Sequence, residues 1–283
     1  MKKFLVLIAL CFGAVGQLMA ANVLVVGINA TASFTPYTTL AVNDIGDTLS
    51  ASGHSVTKLV LTGATTGQIA TALSGASYDQ VFFLDMADQL LLNAADTAAI
   101  ASFWNAHRGL VVDGRSYGYA FQPTEPSGQA LIRNVASAFA LTGGGVWIGT
   151  DDAPAWVRNG NAILSAIGAN PVTGNYRLPI NSGDPSSVLL QGVTPASLWG
   201  AAGVGTIVST PGAAPVGMQP NGIEMFMHLG NDTGGTLTPF ISASFPLTGP
   251  AAPVDVPVNQ PWALVLLALA LAAAAGLTRR RRG

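Results

Sequence analysis

Residues 114–118 (GRSYG) have the spacing that places a nucleophilic serine on a tight strand-to-helix turn. Small residues at both ends of a G-x-S-x-G motif let a strained turn expose the serine hydroxyl at the head of a strand. Asp151 and His228 follow Ser116 in the chain order Ser, Asp, His, which would supply a base and a residue that orients it. One hypothesis is therefore a serine hydrolase with Ser116, His228 and Asp151 as catalytic residues. Motifs of five residues also arise by chance, so a serine without catalytic function remains the alternative.

Polar side chains that follow the predicted strands form a second candidate site. In an open parallel sheet, ligands bind beyond the carboxyl ends of the strands. Carboxylates grouped around an arginine at this edge could bind a sugar through hydrogen bonds or hold a hard cation. The alternative is that each aspartate caps the helix or turn that follows its strand. The candidate ligand-binding residues are Asn29, Asp85, Asp113, Arg115 and Asp151.

Alternating strand and helix patterns in the first two thirds of the chain predict the elements that position these residues. Continuous apolar runs favour strands buried on both faces, and apolar residues at helical spacing favour the helices between them. This alternation predicts an α/β fold with a mainly parallel, doubly wound sheet of flavodoxin-like type. The predicted strands are 22–27, 55–61, 80–85, 109–113 and 145–149, and the predicted helices are 39–52, 66–73, 94–107, 129–140 and 159–167.

The last third of the body contains short strand-like runs separated by Gly, Pro and Asn. We expect these runs to add strands to the same sheet, antiparallel at one edge, within a single domain of residues 22–248. The runs are residues 187–191, 206–209, 222–228 and 239–244.

Two short motifs of this body resemble class I glutamine amidotransferase-like domains. Residues 141–151 (LTGGGVWIGTD) resemble the Gly-Gly-Gly strand of that superfamily, and His228 lies where its members often carry a histidine. The resemblance covers roughly residues 22–245 and implies the same flavodoxin-like fold. Enzymes of the superfamily use a cysteine nucleophile on a strand-to-helix elbow, where this chain has Ser116. The resemblance therefore implies the fold but not amidotransferase activity.

The N-terminus has the pattern of a secretory signal peptide, which we assign to residues 1–21. Lys2 and Lys3 precede an apolar run over residues 4–15, and small residues near Ala20 or Ala21 suit cleavage by signal peptidase. The only cysteine, Cys11, lies within this segment. The mature protein therefore has no disulfide, even at an oxidising destination.

The C-terminus has the pattern of a short membrane anchor. Residues 262–277 carry no charge, and 16 residues make a helix of roughly 24 Å, slightly short of a hydrocarbon core of about 30 Å. Flanking arginines can snorkel to span the difference, and a basic cluster stays cytoplasmic. We therefore expect a linker and sorting motif at 249–261, a transmembrane helix at 262–278 and a basic cytoplasmic tail at 279–283.

This tail resembles the PEP-CTERM class of sorting signals, in its V-P-x-x-x-P or I-P-T-L-x-x-W variants. A Pro-containing motif, an apolar helix and a basic cluster stand in the order of that class, at the very end of the chain. The resemblance implies processing by an exosortase-type protease of Gram-negative bacteria, with a transient anchor in the inner membrane. The protein would then reach the cell surface or outer envelope, or be secreted. The residues that carry the resemblance are Val256, Pro257, Pro261, Trp262, Arg279, Arg280, Arg281 and Arg282.

The charge distribution argues against nucleic acid as a partner. Six of the twelve basic residues lie in the two terminal signals and all fourteen acidic residues lie between them, so this middle segment has a formal net charge of −8. An acidic surface repels phosphate backbones. The sequence also has no His/Cys spacing of a metal site and no glycine motif of a phosphate cradle, so we expect neither metal nor cofactor.

Together these patterns predict an exported, surface-sorted envelope protein. We expect its α/β ectodomain to bind a small ligand or glycan of unknown identity without catalysis. A serine hydrolase and a structural component of an extracellular matrix are the two alternatives. Its partners would be signal peptidase, the sorting protease and, through the C-terminal helix, the membrane.

Overall fold

The computed structural model describes residues 20–115, 126–176, 178, 180–195, 198 and 212–247. The chain divides into two compact units, Met1–Thr248 and Gly249–Gly283, and all of the described residues belong to the first. The predicted signal peptide up to residue 19, Ser116, the run at 206–209, and the linker, anchor and basic tail lie outside the described residues.

A mostly parallel sheet forms the centre of the described fold. Strands β1 to β5 all run parallel, in the spatial order β2-β1-β3-β4-β5. Their bounds are Asn22–Asn29, Ser55–Thr62, Gln80–Met86, Gly109–Asp113 and Gly145–Gly149. The predicted α/β class with a mainly parallel sheet is confirmed, and β4 and β5 have the predicted bounds.

Helices cover both faces of this sheet. The described α-helices are α1 (Thr35–Ala51), α2 (Gln68–Gly75), α3 (Ala94–Asn105), α4 (Pro126–Thr142) and α5 (Arg158–Ala166). Apolar side chains of α1 and α4 pack in one core, and those of α2, α3 and α5 pack in another core on the opposite face. This is the doubly wound arrangement expected from strands whose two faces are both apolar.

Helix α1 begins four residues earlier than the apolar pattern predicts. Pro36 lies in its first turn, where a missing N–H costs nothing and the fixed φ suits a helix. The apolar pattern places Leu40 on the buried face, but Leu40 is 44 % exposed, whereas Ala41 is fully buried. The apolar stripe is therefore rotated slightly from the predicted one.

Antiparallel strands extend the sheet beyond β5, as predicted. Strand β9 (Thr236–Ala243) pairs with β5, β8 (Glu224–Thr233) pairs with β9, and the short strands β6 (Ser182–Gly183) and β7 (Gly217–Met218) both pair with β8. The predicted strand at residues 187–191 is wrong, because Val188–Leu190 is a short 3₁₀ helix. Ser187 caps it, since its hydroxyl accepts a hydrogen bond from the backbone N–H of Leu189 at 3.2 Å.

The three glycines before β5 bring two backbone segments into close contact. Gly143, Gly144 and Gly145 have φ values of +76°, +131° and +140°. A Cβ on Gly144 would lie 1.8 Å from the carbonyl oxygen of His107, which itself has a left-handed φ of +59°. The Gly-Gly-Gly sequence therefore has a packing role at the amino edge of the sheet.

None of the helices in the described part of the chain is long and apolar enough to cross a membrane. The predicted anchor at 262–278 is not among those residues.

Candidate functional site

The carboxyl edge of the parallel strands carries the predicted ligand-binding residues, but not all on one face. Successive side chains of a strand point to opposite faces of a sheet. Asp85 continues the row of Phe83 on the face covered by α5, and Asp113 continues the row of Val111 on the face covered by α1 and α4. The two aspartates of neighbouring strands therefore begin on opposite sides of the sheet.

Asp85 caps helix α5 from a distant part of the chain. Its carboxylate accepts hydrogen bonds from the backbone N–H groups of Asn159 and Gly160, at 3.0 and 2.9 Å, and from Asn159 Nδ2 at 2.9 Å. These are N–H groups of the first helical turn, which lack partners within the helix. Burial raises the pKa of Asp85 to about 7, against the effect of these hydrogen bonds. These hydrogen bonds give Asp85 a structural role as the N-terminal cap of α5.

Asn159 extends this network into the loop after β3. Its Oδ1 accepts hydrogen bonds from the backbone N–H groups of Leu91 and Leu92, at 2.7 and 3.1 Å. Its Nδ2 also donates to the carbonyl of Gln89. Sequence reasoning missed Asn159, because its partners lie about 70 residues away in the chain. Asp85 and Asn159 together hold the loop after β3 against the start of α5.

Asn29 binds the end of the neighbouring strand. It is fully buried, and its Nδ2 donates a hydrogen bond to the carbonyl of Leu61 in β2 at 3.1 Å. Its backbone carbonyl accepts from Gly63 N at 2.8 Å. Asn29 therefore joins the carboxyl ends of β1 and β2 and is not directed at solvent.

Asp113 and Arg115 form a buried ion pair. Arg115 Nε and Nη2 donate to the two carboxylate oxygens of Asp113, at 3.0 and 2.9 Å. The guanidinium carbon lies 4.7 Å from the centroid of a Trp147 ring. Both charged side chains are almost entirely buried, so the arginine is held by charge and by stacking on the aromatic face.

Asp151 is the predicted ligand-binding residue that stays partly exposed. It is half-buried, and its Oδ1 accepts a hydrogen bond from the backbone N–H of Asp152 at 2.7 Å. Burial raises its pKa to about 7, and the negative charges of Asp152, Asp85 and Asp113 also raise it. Asp151 therefore has a carboxylate whose ionisation is disfavoured by its surroundings.

Asp152 continues this polar surface. Its Oδ1 accepts a hydrogen bond from Asn175 Nδ2 at 2.6 Å. Burial raises the pKa of Asp152, and the hydrogen bond from Asn175 opposes this effect. Asp151, Asp152 and Asn175 therefore place carboxylate and amide groups side by side.

Aromatic rings form a cluster at this edge, and one of them, Trp156, follows Asp152 in the chain and bonds to its carbonyl through the backbone N–H at 2.8 Å. Phe34, before α1, and Trp156, before α5, have ring centroids 6.1 Å apart, and Phe34 and Tyr37 have centroids 6.2 Å apart. Two strands, β3 and β4, separate β1 from β5, so the two loops meet across the carboxyl edge. Tyr37 is 39 % exposed. Sequence reasoning missed this aromatic cluster, because Phe34 and Tyr37 are far from Trp156 in the chain and share no motif with it.

His228 is buried at an irregularity of β8. The pairing register of β8 with β9 shifts on either side of Leu229, which is the signature of a bulge that redirects side chains. His228 Nδ1 lies 2.5 Å from Ser187 Oγ. Burial lowers the pKa of His228 to about 4, although the Phe245 backbone and the charge of Asp184 raise it. The imidazole is therefore neutral at physiological pH.

The observed hydroxyl partner of His228 is therefore Ser187, which sequence reasoning did not single out. Strand β8 is three strands from β4 in the sheet, about 14 Å at the usual strand spacing. His228 and Ser187 are both almost fully buried. Ser116 lies outside the described residues, and its proposed contact with His228 stays a prediction.

Among the described residues, no group of three or more His, Cys, Asp and Glu side chains has the arrangement to hold a metal ion.

No family model, no curated protein and no solved structure matches this chain.

Replacing Asp151 by asparagine is expected to stabilise the protein more at pH 8 than at pH 5. The folded pKa of Asp151 is about 7, against an ordinary value of 3.8 for this carboxyl. At a pH between 3.8 and about 7, the carboxyl binds a proton in the folded state but not in the unfolded state. Its contribution to the free energy of unfolding therefore falls as the pH rises through this interval. The asparagine side chain has no such charge but keeps an oxygen for the Asp152 N–H.

Urea unfolding of both proteins at pH 5 and pH 8 measures this effect. The free energy of unfolding of Asp151→Asn minus that of the parent should increase by about 2–3 kcal/mol between the two pH values. If the free energy of unfolding of the variant minus that of the parent were the same at pH 5 and pH 8, the folded state would not raise the pKa of Asp151.

Proposed function

We propose that the chain is an exported, surface-sorted bacterial envelope protein whose α/β ectodomain binds a small ligand or glycan without catalysis. The observation that carries the binding proposal is that the loop after β5 holds both Asp151 and Asp152 and Trp156, whose backbone N–H bonds to the Asp152 carbonyl and whose ring meets Phe34 in a cluster with Tyr37. Export and sorting are supported by the sequence patterns at the two ends of the chain.

The chemistry of this edge suits a sugar better than an anion. A pyranose presents an apolar ring face, which can pack on an aromatic side chain, and hydroxyl groups, which donate to carboxylates. Asp151, Asp152 and the amide of Asn175 provide acceptors and a donor within one surface. An acidic edge of this kind disfavours phosphate or carboxylate ligands.

The ionisation of Asp151 also supports a binding role. Asp85 and Asp113 are occupied by internal hydrogen bonds that explain their presence. Among the described residues, the Asp151 carboxylate accepts one such bond, and its charge is opposed by burial and by three neighbouring carboxylates. A carboxylate whose ionisation is opposed by its surroundings, and which stays partly exposed at the carboxyl edge of a parallel sheet, is a candidate for function.

We further propose that the body is a flavodoxin-like, amidotransferase-like domain. The strand order β2-β1-β3-β4-β5 supports this proposal, because it is one of the common doubly wound orders. The position of the superfamily's cysteine nucleophile corresponds to Ser116. His228 bonds to Ser187 in a fully buried environment, and we therefore propose binding without catalysis.

Calorimetric titration with a panel of neutral mono- and oligosaccharides tests the binding proposal. We expect at least one to bind, and Asp151→Asn and Trp156→Ala each to weaken it by about tenfold or more, as for a lost hydrogen bond to a charged group or a lost aromatic contact. Asp47→Asn, on the exposed part of α1, is the matched control and should leave the affinity unchanged. Absence of binding across the panel would contradict glycan recognition, and ester turnover lost in Ser116→Ala would favour the serine hydrolase.

The sorting proposal predicts a mature protein without its basic tail. Mass spectrometry of the surface protein should show that the residues after the motif Val256–Pro261 are missing. Substitution of Pro257 and Pro261 by alanine should leave the chain in the inner membrane fraction with Arg279–Arg282 attached. An intact C-terminus on the mature surface protein of the parent sequence would exclude this processing.

A further inference from the structure

Ala21, just before β1, is packed into the fold. Its side chain is 6 % exposed and belongs to the core under α1 and α4. Its N–H donates to His54 Nδ1 at 3.2 Å, and its carbonyl accepts from Ser55 N at 2.9 Å. Ala21 thus forms the first link between β1 and the segment that opens β2.

Ala20 contributes none of these interactions. It is exposed, and within the described part of the chain no hydrogen bond to it is found. It lies at a cleft of about 300 Å³ at the amino edge of the sheet, which Ala21, Asp79 and Gln80 also line. The described fold therefore uses the contacts of Ala21 but none of Ala20, and the bond between them separates the two.

From this boundary we infer that signal peptidase hydrolyses the Ala20–Ala21 bond and that Ala21 is the first residue of the mature protein. The inference rests on the proposed export of the chain. Water adds across the peptide bond, so that Ala20 leaves with a carboxylate and the nitrogen of Ala21 becomes an ammonium group. Signal peptidase requires a small residue before the cut, which excludes the Met19–Ala20 bond.

The bond after Ala21 also follows a small residue, as signal peptidase requires, but Ala21 itself is part of the folded core. Cleavage there would remove a buried residue together with its bonds to His54 and Ser55. Removal of Ala20 leaves both bonds in place. The fold therefore distinguishes between two bonds that the sequence pattern treats alike.

The new ammonium group would have suitable neighbours at the amino edge. His54 presents Nδ1 as an acceptor to the Ala21 nitrogen at 3.2 Å, and burial lowers the pKa of His54. The carboxylate of Asp79 accepts from Asn22 N at 2.8 Å, one residue along the chain. The cleft at Ala20 leaves space for water to bind the remaining N–H groups of the ammonium.

N-terminal sequencing of the full chain after export from a Gram-negative host tests the inference. Labelling of free α-amines before trypsin digestion should identify a peptide that begins at Ala21 and ends at Lys58. A mature protein that begins at Ala20 or Asn22 would overturn the inference while leaving export intact. A protein that begins at Met1 would overturn export itself.

Two matched variants test which alanine precedes the cut. Pulse-labelling follows processing before folding can influence the result. Ala20→Tyr should slow the appearance of the processed form by about tenfold or more, or abolish the product that begins at Ala21, because the enzyme requires a small residue before the cut. Ala21→Tyr should be cut at the same bond at nearly the parental rate. The reverse pattern, with Ala21→Tyr blocked and Ala20→Tyr processed, would overturn the inference.

Discussion

Replacing Asp113 by alanine is expected to destabilise the ectodomain by about 3–5 kcal/mol, because it leaves the charge of a buried arginine without its carboxylate. Arg115 has an exposed side-chain fraction of 1 % and binds Asp113 through two side-chain hydrogen bonds. Asp113 also accepts the backbone N–H of Arg115 at 2.9 Å. The substitution therefore removes a carboxylate that binds a desolvated guanidinium and the acceptor of a backbone hydrogen bond in the turn that follows β4.

Urea unfolding of Asp113→Ala, followed by tryptophan fluorescence, measures the loss. Asp47→Ala is the matched control, because Asp47 also forms an ion pair, with Lys58 at 2.6 Å, but its side chain is 73 % exposed. A surface pair contributes at most about 1 kcal/mol. The double variant Asp113→Leu with Arg115→Met should recover most of the stability, because an apolar pair replaces both buried charges. Equal losses for Asp47→Ala and Asp113→Ala would contradict the role of burial.

Replacing Gly144 by alanine should cost about 3 kcal/mol through backbone strain and a backbone clash. Gly144 has a φ of +131°, and a Cβ at this position would lie 1.8 Å from the His107 carbonyl oxygen. That oxygen belongs to the main chain between α3 and β4, so it cannot move aside as the end of a flexible side chain could. The substitution should force apart the segments that enter β4 and β5.

Gly143→Ala provides the matched control for this prediction. Gly143 also has a positive φ, +76°, but no described atom lies within 4 Å of the position that a Cβ would occupy there. Its cost should be that of the left-handed conformation alone, about 1–2 kcal/mol. Thermal unfolding of the two variants should therefore place the midpoint of Gly144→Ala clearly below that of Gly143→Ala. Similar midpoints would show that the contact with His107 can relax.

The sequence by itself determined the strands of the parallel sheet. Residues 109–113 and 145–149 were predicted with their observed bounds, because strands buried on both faces are continuous apolar runs bounded by glycine or polar residues. The N-terminal cap of α3 also depends on a short-range interaction, because Asn93 Oδ1 accepts a hydrogen bond from the N–H of Asp96 three residues later. Patterns of this range depend on neighbours within a few residues and are therefore visible in the chain.

The tertiary structure decided what the polar residues at the carboxyl edge do. Asp85 caps a helix more than 70 residues away, and His228 bonds to Ser187 across 41 residues. The rings of Phe34 and Trp156 meet from loops that follow β1 and β5, which two other strands separate in the sheet. The face to which a side chain points and the partner that it meets depend on strand order, pleat and bulges. A linear sequence does not specify these directly, so the same aspartate pattern was compatible with a cap, an ion pair or a ligand site until the fold placed each residue.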